Sequence, residues 1–304
     1  MKFINSSVKI EPQKDGLEEM FKHIELCCRV SYKSEDKITE DSYKKFLKML
    51  MNNKHTTPLE QGTIYLTIPV DTKEFVDEAF KVYNSKYAEV VYEKEFNYVT
   101  TNYNVLKDFP LEFIKKFWST PTEHVKRVTM KIVCSRAISH EIVRHRIFSY
   151  IQESTRYCNY SKGKFDSELK FIIPFWAKEL KEGDSFSVQD IEPDKIIQKL
   201  LSPENKISPQ TFALISSHVC EENVYKELIK LGSTAQEARD VLSNGLKTEL
   251  YMTGTIPQWE HFLSLRSPLC GATGVHPDMI KIGNEIYHLL VDNNYIKEVS
   301  KNGK

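Results

Sequence analysis

The spacing of apolar positions sets out the elements. From Asp41 to Asn53, Tyr43, Phe46, Leu47, Leu50 and Met51 recur at i, i+3, i+4, i+7 and i+8, the pattern of one helical face. The polar stretch NNKHTTPLEQG ends that helix, punctuated by Pro58 and Gly62. In TIYLTIP, Ile64, Leu66 and Ile68 alternate with Thr63, Tyr65 and Thr67, which predicts a half-buried strand. Val128, Met130 and Ile132 alternate likewise with Thr129 and Lys131, so a strand is expected to lead into a helix over SRAISHEIVRHR. Between them, residues 70–120 read as helical over TKEFVDEAFKVYNSKYAEVV and then as a hairpin rich in Tyr, Val and Asn. The Pro- and Asp-containing stretch from Gly163 to about residue 190 reads as loop. The last third is mostly helical: TFALISSHVCEENVYKELIKL, AQEARDVLS with Thr234 as N-cap, IPQWEHFLSL, and PDMIKIGNEIYHLLVDN. Strands early, helices late and no regular βαβ alternation predict an α+β class. The expected architecture is a central, mostly antiparallel sheet packed with long helices, in a single domain over 1–304 without repeats or a flexible linker.

Charge and composition narrow the function classes. With 304 residues, 40% of them hydrophobic, the chain can bury a sizeable core. Its 42 Lys+Arg balance 42 Asp+Glu, which removes the bulk attraction expected of a general nucleic-acid or membrane-surface binder. Any bound anion must therefore be held by a local cluster. The N-terminal stretch has no signal-peptide core, and no apolar run approaches the roughly 18 residues of a membrane span. The expectation is a cytoplasmic protein with no membrane and no nucleic-acid partner. Cys27, Cys28, Cys134, Cys158, Cys220 and Cys270 form no C-x-x-C pair, so they read as free thiols, with no metal site.

Missing motifs narrow the chemistry further. There is no G-x-G-x-x-G and no G-x-x-x-x-G-K-[ST], so no Rossmann dinucleotide fold and no P-loop is expected; G-x-S-x-G and H-E-x-x-H are absent too. Functional groups concentrate in HEIVRHRIFSYIQESTRY, residues 140–157, where Arg144, His145, Arg146, Gln152, Glu153, Ser154 and Arg156 are interleaved with Ile142, Ile147, Phe148 and Tyr150. On one continuous helix Glu141 would lie i, i+3 from Arg144 and i, i+4 from His145. The plain account is then an amphipathic helix with a Glu141–Arg144 pair at its solvated end. Against it, Arg146 precedes an apolar pair, and Ser154 with Arg156 repeats the anion-binding character. Planar guanidinium groups suit a phosphate better than ammonium groups do. Three readings are open on these residues: an enzyme site for a phosphorylated substrate, an RNA- or phospholigand-binding module stacking on Tyr150 and Tyr157, and a Cys158/His145 nucleophile pair.

R-H-R at 144–146, followed after seven residues by Ser154, resembles the R-H-R-x7-S signature of the flavin-dependent thymidylate synthases, extended by Arg156 and Tyr157. HTTPLEQ at 55–61 is similar to the family's upstream H-x-T-P-x-E-H block, with Gln61 in place of the final His. EARDVLSNGLKTELYMTGTIPQWEHFLSLR at 237–266 is similar to its C-terminal block, which ends in a Leu-Arg pair, and CRVSY at 28–32 resembles an early segment whose Ser contacts flavin. The blocks stand in the family's order. The chain departs at Glu141, where many members carry Gln, and at Thr255, where a flavin-contacting Asn is usual. It departs also in the longer link SPLCGATGV and in a family-variable insertion near 70–130.

The resemblance implies reductive methylation of dUMP to dTMP, with methylenetetrahydrofolate as carbon donor, FAD as redox carrier and NADPH as reductant. It implies a homotetramer with shared active sites and no cysteine nucleophile. It assigns Ser154, Arg156 and Arg239 to the dUMP phosphate, and Glu141, Arg144, Gln152 and Glu153 to the rest of the nucleotide. Ser31, His55, Thr57, Glu60, Arg144, His145, Arg146, Gln152 and His261 fall to FAD. By the resemblance Arg266 would bind substrate and be the catalytic residue, stabilising negative charge on the N3–C4–O4 face of uracil so that C5 can attack. Local chemistry offers duller accounts: Arg266 as a helix C-terminal cation, Arg239 paired with Glu237 on the surface, and His55 and Thr57 as loop residues before Pro58. By the same measure His261 is a helix-surface or core histidine, and Cys158 a small buried hydrophobe.

Overall fold

The computed structural model describes residues 1–163, 167–192 and 207–299. β1 (Lys2–Ile4) and β2 (Ser7–Ile10) precede α1 (Leu17–Arg29) and α2 (Ser42–Asn52). A 3-10 turn over Thr57–Gln61 feeds β3 (Thr63–Pro69), followed by α3 (Val76–Tyr83), β4 (Glu89–Tyr92), β5 (Phe96–Asn102), α4 (Tyr103–Leu106) and α5 (Leu111–Phe117). β6 (Arg127–Ser135) runs straight into α6 (Arg136–Ile142), and β7 (Ser149–Gln152) and β8 (Lys170–Ile172) come next. Then follow α7 (Pro209–Lys230), α8 (Ala235–Ala238), β9 (Lys247–Thr255), α9 (Ile256–Arg266) and α10 (Pro277–Asp292).

The α+β class is observed. A four-stranded antiparallel sheet in the order β2-β6-β9-β7 lies beside a three-stranded antiparallel sheet, β3-β5-β4, while β1 and β8 pair in parallel. Alternation along β6 explains the layering. Val128, Met130, Ile132 and Cys134 join Leu250 and Met252 of β9 against Trp259 and Phe262 of α9 and Met279, Ile282 and Ile286 of α10. On the other face His23 of α1 lies 3.3 Å from Thr129, and Tyr251 packs into the cluster of α1, α2 and the second sheet. A third cluster joins Phe3 and Phe171 of the parallel pair to α7 through Ile215, Val219 and Tyr225. Among the described residues no helix is long and apolar enough to cross a membrane.

The helix over 41–53 and the strand over 63–69 lie where periodicity puts them, with Ile64, Leu66 and Ile68 wholly buried. Five readings are corrected. The helix after residue 70 stops at Tyr83, where the Asn84 amide donates to the Phe80 carbonyl, and the promised hairpin is β4–β5. AQEARDVLS is helical only to Ala238 and continues as a 3-10 turn, although Thr234 does start it, its N–H donating to Glu237 at 2.7 Å. The stretch read as loop after Gly163 contains β8, and residues 164–166 of it lie outside the described residues. Strands are not confined to the first half, since β9 is a central strand of the main sheet. Finally, α6 ends at Ile142, so R-H-R is not helical.

Candidate active site

The R-H-R segment is a turn with defined anchors. The Tyr150 hydroxyl stands 3.0 Å from the Ile142 carbonyl and 2.8 Å from that of His145, answering the oxygens that a longer helix would have bonded itself. Beyond the turn Phe148 is buried edge-on against Trp259, ring centroids 4.7 Å apart. It lies over Gly254, where a Cβ would come within 2.4 Å of the ring. The apolar pair after Arg146 thus pins the turn through Phe148 and leaves Ile147 exposed at 62%.

This turn and α9 enclose a cleft of about 640 Å³ lined by Arg144, His145, Arg146, Ile147, Phe148, Pro257, Gln258, His261, Leu265 and Arg266. Arg266 is part of its wall. One arm, Nη1, donates to Glu141 Oε2 at 2.9 Å, and Nε donates to His145 Nε2 at 3.1 Å. The Glu141–Arg144 pair is therefore corrected: the Glu141 carboxylate is bonded to a residue 125 positions away. Because His145 accepts from a guanidinium, its ring is neutral with the proton on Nδ1. Burial, then the charge of Arg266 and then His261, push its pKa down to about 4. Between about 4 and the ordinary 6.5 the unfolded chain binds a proton that the folded chain refuses, so this residue costs stability as pH falls through that window. Arg144, Arg146 and His261 are exposed around the same opening.

A second cluster forms at the other end of β7. The Ser154 N–H donates to the Ser31 carbonyl at 3.2 Å, Arg156 Nε donates to Gln236 Oε1 at 2.5 Å, and the Arg156 guanidinium lies 5.2 Å from the Tyr157 ring centroid. Arg239, exposed, follows Gln236 by one turn. Glu237 answers Thr234, so the Arg239–Glu237 surface pair is not what holds Arg239. The four residues of β7 span about 13 Å between the two clusters.

The remaining assigned residues divide. Glu60 is beside the first cluster: Arg127 donates to its carbonyl at 2.8 Å and to Ser149 Oγ at 2.9 Å. His55 and Thr57 are exposed on the same turn region. Gln152 points inward, its amide donating to Ser139 and Thr248 at 3.0 Å each. Glu153, 2% exposed, accepts from Lys247 and from Tyr160, both at 2.9 Å, so the structure does not bring its carboxylate into either cluster. Cys158 is wholly buried, its Sγ donating to the Ser31 carbonyl, at the opposite end of β7 from His145. The Cys158/His145 pair is thus not assembled in this chain, and the cysteine packs as the small hydrophobe local chemistry suggests.

An α+β chain with an arginine-lined cleft beside an edge strand is the class that fold and site define. A family profile described as thymidylate synthase complementing protein matches residues 71–291, and the chain belongs to that family. A flavin-dependent thymidylate synthase of Thermococcus onnurineus is 31% identical over 134 residues, covering 44% of this chain and 43% of that protein. One of Pyrococcus furiosus is 30% identical over 133 residues, with the same coverage of each. The chain thus aligns with less than half the length of these relatives. A UMP/dUMP methylase of Streptomyces cacaoi, solved with 5-Br dUMP, covers 96% of this chain and 93% of its own at 15% identity and a TM-score of 0.42.

Proposed function

We propose that this protein is a flavin-dependent thymidylate synthase, converting dUMP to dTMP with methylenetetrahydrofolate as carbon donor and NADPH as reductant. The observation that carries the reading is the Arg266 guanidinium, fixed between Glu141 and neutral His145 at the wall of an arginine-rich cleft. The cleft suits FAD chemically: Arg144 and Arg146 offer cations to a diphosphate, while Ile147, Phe148, Pro257 and Leu265 offer an apolar face to a planar ring. His145, His261 and Glu60 complete the set that would hold it. Bound there, FAD supplies the redox chemistry.

The chain's own residues bind and polarise the nucleotide. Ser154, Arg156 and Arg239 would take the phosphate. Arg266 would lie against the N3–C4–O4 edge of uracil, drawing charge toward O4 and raising electron density at C5. The phosphate cluster and the Arg266 cleft stand at opposite ends of β7 in one chain. In our reading the Ser154–Arg156–Arg239 cluster of a second copy faces the cleft of the first, in a homotetramer with shared sites. A cytoplasmic setting fits cysteines that are mostly shielded: among the described residues Cys27, Cys28, Cys134 and Cys158 are buried, and Cys220 is exposed.

Purified protein should carry a yellow flavin spectrum and oxidise NADPH only when dUMP and the folate are both present. A colourless protein that ignores dUMP sinks the reading. Ser154→Ala should raise the half-saturating dUMP concentration about tenfold, the worth of one charge-assisted hydrogen bond, with kcat little changed. Complete loss of turnover at normal dUMP affinity would contradict the phosphate role.

A further inference from the structure

The side chain of Arg266 faces the cleft, but its main chain is pressed against α10. A Cβ on Gly283 would stand 2.5 Å from the Arg266 carbonyl oxygen, 2.9 Å from its carbonyl carbon and 3.4 Å from the Ser267 nitrogen. These are backbone atoms at a helix end, and they cannot rotate aside as a side chain can. Glycine is a poor helix former, yet Gly283 sits mid-helix in the 16-residue α10 with no positive φ to justify it. Close approach is the justification that remains.

The neighbours of Gly283 dock the same helix. Asn284 Oδ1 accepts from the hydroxyl of wholly buried Ser267 at 2.7 Å. Glu285 accepts from the Val8 N–H at 3.0 Å, which ties α10 to β2, an outer strand of the main sheet. Successive helical residues point about 100° apart, so three in a row can serve three directions. Here they grip the Arg266 backbone, the residue after it, and the sheet.

We infer that Gly283 is a positioning residue: its missing side chain lets α10 seat on the main chain of Arg266 and so sets where the guanidinium stands relative to Glu141 and His145. Restoring ordinary contact at 3.4 Å from 2.5 Å requires the last turn of α9 to retreat by about 0.9 Å. A displacement near 1 Å from a group outside the chemistry costs on the order of a hundredfold in rate. The consequence for turnover rests on the proposed function; the consequence for Arg266 does not.

The test is Gly283→Ala in the full chain, read first by NMR titration of the His145 ring. With Arg266 withdrawn, His145 should titrate at a higher pH than in the parent protein, in the direction given by Arg266→Ala as reference. FAD affinity should stay within about twofold, and kcat should fall ten- to a hundredfold with KM for dUMP within about threefold. An unmoved His145 titration with parental kcat overturns the inference. If Gly283→Ala does not fold, Asn284→Ala frees the Ser267 hydroxyl without adding bulk. It should shift His145 the same way to a smaller extent, and no shift there overturns the inference equally. A shifted titration in a protein that never methylates dUMP would uphold the positioning role and sink the proposed function.

Discussion

Arg266→Ala is expected to lower dUMP methylation by about two to three orders of magnitude, the cost of removing one preorganised donor from a developing oxyanion. Flavin should remain bound, because Arg144, Arg146 and His261 line the same cleft. The loss should lie in kcat more than in KM, since the charge on O4 grows only as C5 becomes nucleophilic. Arg266→Lys should recover little. Arg266 serves Glu141 through Nη1 and His145 through Nε at once, a fork that a single ammonium cannot reproduce. Turnover within a few-fold of the parent for either variant would remove Arg266 from the mechanism. A second effect follows: burial is the main cause of the low His145 pKa and the Arg266 charge adds to it, so with the guanidinium gone its titration should move upward.

How much of this was legible in the sequence depends on the range of the contact. α2 and β3 show because one face of each is buried and the other less so, and periodicity reports that difference. β9 does not, because its central place buries nearly every residue from Thr248 to Thr255, polar Thr248 and Thr253 included, and no alternation survives. The end of α6 depends on Tyr150, eight residues further on from Ile142, and no local cap signals it. In the site, the residue types at 144–156 announce an anion-binding cluster, and the resemblance names the partners. The Glu141–Arg266 bond joins distant segments, and Gly283 has no chemical signature at all; its meaning exists only once α9 and α10 cross. The resemblance assigns Glu153 to the nucleotide, and nothing local reveals Lys247, which comes back to it on β9.

That ion network carries the largest expected effect on stability. Glu249 on β9 forms ion pairs with Lys33 at 2.5 Å, Lys131 at 2.8 Å and Lys247, while Lys247 also bonds Glu153. Burial pushes the Glu249 carboxyl up. The ammonium groups of Lys247 and Lys33, with hydrogen bonds from Lys131 and Lys247, outweigh burial and hold it well below the usual carboxylate range. Glu249→Ala leaves three ammonium groups facing one another, with Lys247 only 12% exposed, and should cost about 3 kcal/mol, as for other buried pairs broken from one side. At roughly 2 °C per kcal/mol for a chain of this size, thermal unfolding should come about 6 °C earlier. The sign with pH is fixed. A carboxyl depressed in the folded state stabilises fully above its unfolded pKa near 4.5 and less as pH falls below it. The difference in unfolding free energy between parent and variant, measured by denaturant at neutral pH and again near pH 3, should therefore narrow in acid. A gap that stays constant would mean the carboxylate charge contributes nothing. The Glu153 N–H also donates to the Glu249 carbonyl at 2.8 Å, and Glu153 precedes Ser154. Releasing Lys247 onto Glu153 alone should loosen the strand end that presents Ser154, so weaker dUMP binding is expected to accompany the lost stability.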